Sequence, residues 1–98
     1  MSSNLVANYD VTNQEGCNAY LAAVGPTIVA HKGKILVAVP NSTAVEGKPG
    51  GVTVVLEFPS REVLEGWYNL SGYQGILNLR LANNKGGLVF ADEFVVPT

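Results

Sequence analysis

The sequence predicts an α+β domain with the element order β-α-β-β-α-β, and three observations carry that expectation. Four apolar stretches (NLVANYDV, KILVAVP, VTVVLEF and LVFADEFVV) are short, β-rich and bounded by turn residues, which is how strands read. Between them, apolar residues recur every three or four positions, the period of a helix that buries one face. At 98 residues the chain has room for one domain, residues 1–98.

The elements follow in order. In NLVANYDV, Leu5, Ala7 and Tyr9 point to one side of a strand, and Val6 and Asn8 to the other. Thr12 or Asn13 is suited to cap a helix, with Glu15 in its first turn, where side-chain oxygens meet free N–H groups. Cys17, Tyr20, Leu21, Val24 and Ile28 then make one apolar face. Pro26 falls inside this helix and lacks an N–H, so a bend is expected near Gly25. The last turn is expected at HKGK, with Gly33 as its C-terminal cap.

KILVAVP is the second strand, ended by Pro40, and NSTAVEGKPGG is a connection longer than a tight hairpin. VTVVLEF is the third, with Val52, Val54, Leu56 and Phe58 on one face. Pro59 holds Phe58 extended, and Ser60 caps a helix that reaches about Asn69, with Val63, Trp67 and Leu70 on one stripe. A further short helix over Ser71–Leu81 carries Ile76, Leu77 and Leu81, with Tyr73 near its start. NNKGG reads as a turn before LVFADEFVV, the fourth strand, and Pro97 ends the regular structure.

This order is that of a ferredoxin-like βαββαβ plait, a four-stranded antiparallel sheet with its helices on one face. The other face is then left without cover from its own chain. KILVAVP and VTVVLEF offer apolar groups to both sides, whereas a sheet with one wet face alternates cleanly. Six aliphatic side chains left in water would forfeit on the order of 10 kcal/mol, which rivals a domain's whole stability. A second copy laid sheet to sheet about a two-fold axis is the simplest cover, so a homodimer is expected.

Composition narrows the function classes. Charged residues make up only 14% of the chain, and its net charge is −2 with six scattered basic residues. That pattern is the opposite of a nucleic-acid footprint. Cys17 is the sole cysteine, which rules out an internal disulfide and points to a reducing compartment. No basic segment leads into a long apolar run at the N-terminus, so neither a signal peptide nor a membrane span is expected. The expected location is the cytoplasm. One His and one Cys do not make a structural zinc site, and neither a metal nor another cofactor is expected.

A few residues stand out as site candidates. Trp67 and Tyr73 are suited to wall a cavity for a flat ligand, and equally to anchor helix to sheet. Tyr68 faces about 100° further round the helix, toward a rim. His31 is the one side chain that titrates near neutrality when unperturbed; it could serve as a general base or cap a helix C-terminus. Arg80 could hold a carboxylate bidentately, or pair with Glu46, Glu57 or Glu93. Glu46 sits on the long connection, where functional groups collect. Cys17 reads as a buried, inert thiol.

Several stretches carry a resemblance that spans nearly the whole chain. They are Tyr20-Leu21 followed by AHKGK, VEG at Val45–Gly47, LEFPS at Leu56–Ser60, WYN at Trp67–Asn69, Tyr73-Gln74 and Arg80. In these the chain resembles bacterial domain-of-unknown-function family 1330, within the dimeric α/β-barrel superfamily. The resemblance implies two plaits packed by their sheets into a barrel-like dimer, with a cleft between sheet and helices in each protomer. The superfamily spans cofactor-independent oxygenases, haem-degrading enzymes, isomerases and small ligand-binding domains, so fold alone does not select a function. The chain departs from the family's pattern at Leu70 and Gly72, where Ser and Glu are usual, and at Lys32 in the family's His-Gly-Gly turn. The expected function is a homodimer binding a small organic molecule near Tyr20, His31, Trp67, Tyr68, Tyr73, Arg80 and Glu46. The alternatives are a structural or regulatory dimer without ligand, and a cofactor-independent oxygenase- or isomerase-like enzyme using His31 as proton acceptor and Arg80 as anion holder.

Overall fold

Alternation along the first strand decides which side of the sheet is covered. In the computed structural model, which describes residues 1–97, β1 (Ser3–Val11) buries Ser3, Leu5, Ala7 and Tyr9 and turns Asn4, Val6 and Asn8 the other way. It lies inside a four-stranded sheet of order β2-β3-β1-β4. β3 (Val52–Phe58) pairs with it antiparallel, setting Leu5 opposite Leu56 and Ala7 opposite Val54. Leu56 and Phe58 therefore join the buried face of β1. β2 (Lys34–Val39) is the outer neighbour of β3, and its register shifts between Ile35 and Val37. The sheet is the expected α+β, ferredoxin-like plait.

β4 departs from the sequence expectation. It spans Asn84–Asp92, not Leu88–Val96. The segment NNKGG is not a turn: Asn84 to Gly87 lie opposite Val11 to Asn8 in the ladder, and the actual turn is residues 82–83. Nine residues of β1 offer a full row of partners, and filling that row outweighs the turn preference of Asn and Gly. Gly86 fits because a Cβ there would come within 2.3 Å of the Asn8 carbonyl oxygen. Phe94, Val95 and Val96, expected in the strand, lie beyond it and are exposed.

α1 (Gln14–Ala30) starts as expected, with the Asn13 side chain accepting from the Gly16 N–H at 3.2 Å. It continues through Pro26 to Ala30. The cap at its end is not Gly33. His31 takes the C-cap position, and Lys32 adopts the left-handed conformation with φ 64°. Gly33 serves packing instead: a Cβ there would meet Ile28 and the Phe58 ring at 2.5–2.9 Å.

α2 (Arg61–Tyr68) is capped by Ser60 Oγ, which accepts from the Val63 N–H at 3.1 Å. It buries Leu64 and Trp67, while Val63 and Leu70 are only half-buried. α3 spans Ser71–Leu81 as expected but buries Tyr73 and Arg80, seven positions apart, and leaves Leu81 exposed. Two helical turns separate such positions, so they share a face.

All three helices lie over the buried face of β1. α2 packs on β1 and β3, and α1 packs on α3 while Tyr20, Val24 and Ile28 join the same core as Leu5, Leu56 and Phe58. The opposite face is bare. Register puts Val6, Val37, Val55 and Val89 on it, with Val89 57% exposed.

Candidate functional site

A cleft opens between α1 and the sheet. Tyr20, Val24 and Ile28 of α1 form its roof, and Ala7, Leu56 and Val54 its floor. α1 is held there at its start by backbone bonds: the Thr12 N–H donates to the Asn83 carbonyl at 2.8 Å. The Cys17 thiol reaches the same carbonyl at 3.3 Å. Further along, the Trp67 indole N–H donates to Thr27 Oγ1 at 3.0 Å, tying α2 to α1.

The inner end of the cleft is aromatic. Trp67 and Tyr73 pack with ring centres 4.3 Å apart, and Phe58 lies 5.3 Å from Trp67. Trp67 is 1% exposed, so most of its ring anchors the core. Tyr20 meets Tyr73 edge-on at 6.3 Å, and their hydroxyls are 2.9 Å apart. Burial pushes the Tyr20 phenol far above its ordinary pKa, and neighbouring Tyr73 adds to the effect. Burial likewise raises Tyr9 and Cys17. These three groups keep their protons at neutral pH.

Arg80 reaches the cleft from α3. It is 8% exposed, and its Nε–H has no partner among the described residues. The ion pairs among those residues both belong to Arg61, with Glu65 and Asp92. Arg80 is thus paired with none of Glu46, Glu57 or Glu93. Burial works against its charge, but Tyr73, then Tyr20 and Tyr68, outweigh that and hold its pKa above the usual value. The tyrosines thus sustain the charge, while the Nε–H is left without an acceptor.

The structure brings Tyr20, Trp67, Tyr73 and Arg80 to one cleft. Tyr68 stands behind them, half-buried, its ring 5.3 Å from Tyr73 and 5.4 Å from Phe90. His31 lies apart at the end of α1. Its Nδ1 is 2.8 Å from the Thr27 carbonyl, and because a carbonyl only accepts, Nδ1 carries the proton. Glu46 is exposed on the connection between β2 and β3. Tyr9, Gly25 and Asn84 also line the cleft and were not foreseen. Tyr9 was legible as an inward residue of β1, but Asn84 enters only through the register of β4.

Comparisons with known proteins agree on the fold. No curated protein matches the sequence. Among solved structures, a protein of unknown function from Rhodopseudomonas palustris is similar at TM-score 0.80 and 14% identity, over 97% of this chain and 84% of that one. SnoaB, a cofactor-independent oxygenase from Streptomyces nogalater, is similar at TM-score 0.68 and 7% identity, over 99% and 94%. A dimeric protein of unknown function with a ferredoxin-like fold from Bacteroides fragilis is similar at TM-score 0.57 and 7% identity, over 94% and 96%. Residues 3–94 match the sequence profile of the domain of unknown function DUF1330.

Proposed function

The chain belongs to the DUF1330 family, and from that premise we propose that it is a homodimer that binds a small organic molecule in the cleft beneath α1. The observation that carries this reading is Arg80, a buried guanidinium with an unpartnered Nε–H in an otherwise apolar and aromatic pocket. Ligand sites have this character: mostly apolar walls and a few placed polar groups. A structural dimer without ligand leaves that donor unmet.

Binding is favoured over chemistry. The Tyr20, Tyr9 and Cys17 protons are held more tightly than usual, so none of these groups is poised as a base. His31 lies outside the cleft. Likeness in fold to an oxygenase does not supply the missing base.

The dimer rests on the bare sheet face, with Val6, Val37, Val55 and Val89, and on the apolar tail Phe94-Val95-Val96, of which Phe94 is 82% exposed. Neither has cover within the chain, and a second copy would bury both. Among the described residues no helix is long and apolar enough to cross a membrane, and we place the dimer in the cytoplasm.

Native mass spectrometry tests both halves of the reading. It should report a dimer of the 10.3 kDa chain at micromolar concentration, carrying a small molecule that is released on denaturation. A lone monomer at that concentration overturns the dimer. A dimer that carries nothing, and whose melting temperature no compound in a panel of small organic acids, alcohols and amines raises, overturns the ligand site.

A further inference from the structure

The cleft has two lobes of different chemistry. The inner lobe, about 160 Å³, is lined by apolar groups that include Leu5, Val24, Ile28, Leu56 and Trp67. An apolar cavity of roughly 150 Å³ holds one benzene ring, so the inner lobe has room for a single ring. The outer lobe, about 250 Å³, opens between α1 and the ends of β1 and β3 and adds Gln14, Cys17 and Asn84. Arg80 and Tyr20 border both lobes.

Two residues that border the outer lobe each carry an unused donor. Among the described residues, Arg80 Nε and Asn84 Nδ2 are buried without a hydrogen-bond partner. No Asp or Glu lines either lobe. An unmet buried donor is destabilising, and more so when it is charged. What satisfies both is a group with two acceptor oxygens and one negative charge.

We infer that the cleft takes a single-ring carboxylate, its ring in the inner lobe against Trp67 and its two oxygens accepting from Arg80 Nε–H and Asn84 Nδ2–H. The inference rests on the cleft being a ligand site and names the ligand's class. A hydroxyl leaves the guanidinium's charge unmatched. A phosphate, with more oxygens and more charge, meets only this one cation. A charge-assisted pair of bonds to a carboxylate fits both number and sign.

The test uses benzoate and benzyl alcohol as probes, titrated into the purified full chain near neutral pH and followed by calorimetry. Benzoate should bind about ten-fold or more tightly than benzyl alcohol. The preference should vanish in Arg80→Met and shrink several-fold in Asn84→Leu. Val24→Phe, from an α1 residue that roofs the inner lobe, should fill that lobe and abolish binding of both probes with the circular dichroism unchanged. Equal affinity of the two probes for the unaltered protein overturns the carboxylate while leaving the cleft a ligand site; this comparison needs no variant to fold. If neither probe binds at millimolar concentration, the inference falls, and the reading beneath it is decided by the native mass spectrum and the wider panel.

Discussion

α1 and α2 cover the same face of one sheet in different ways. α2 packs directly on β1 and β3, burying Leu64 and Trp67 to 0% and 1% exposure. α1 leans on α3, keeps Leu21 half in solvent and leaves a cleft beneath Tyr20 and Val24. The difference teaches that one helical layer serves two ends. Both halves supply stability by burying an apolar stripe, α2 the more completely. α1 buries Tyr20, Val24 and Ile28 as well but leaves a cleft beside them.

The largest effects should fall on the packed half. Trp67→Ala removes the ring between Phe58 and Tyr73 and should cost about 3–5 kcal/mol in urea unfolding. Leu21→Ala, on the rim of the cleft, should cost less than about 1 kcal/mol. Equal losses at the two positions would break the contrast. Tyr20→Phe leaves the Tyr73 hydroxyl without its 2.9 Å partner and should cost about 1–2 kcal/mol, an intermediate result because the pair borders both halves. Gly66→Ala lies on the exposed side of α2 where a Cβ meets nothing within 4 Å, and should stabilise by about 0.5–1 kcal/mol through helix propensity. A loss there would break the account of α2 as a helix packed by its opposite side.

pH separates the same regions more gently. The Tyr20 phenol is raised in the folded state, first by burial and then by Tyr73. Its contribution is therefore intact below the ordinary tyrosine pKa of about 10 and is lost as pH climbs above it. Tyr20→Phe should flatten the alkaline limb of the stability curve. Asp92, outside the helical layer, is held below its ordinary value first by the Ser3 hydroxyl and then by Arg61. Its support is present above the ordinary aspartate range and disappears as pH falls through that range. Asp92→Asn should flatten the acid limb; since Asp92 is exposed, this is the smallest expected change.

Much of this was legible residue by residue. Alternation in Leu5, Ala7 and Tyr9 marked the buried face of β1, Ser60 marked the start of α2, and the weak alternation of KILVAVP marked a face without its own cover. Trp67, Tyr73, Tyr20 and Arg80 were named as site candidates from residue type and helical position, and they meet in one cleft. Glu46 and His31 were candidates on the same grounds, yet they lie outside it.

Local periodicity by itself determined the element order, the plait and its bare face, because each strand or helix must bury the side its own apolar residues occupy. Only the tertiary structure decided that β4 begins at Asn84, that Lys32 and not Gly33 takes the left-handed turn, and that Arg80 is buried without an acid. The physical reason is range. A turn preference is a property of a few adjacent residues, whereas register, close approach and the absence of a counter-charge are settled by groups distant in the chain. The placement of Asn84 at the cleft that Arg80 also borders came from nine backbone pairings with β1, and no pattern within NNKGG encodes it.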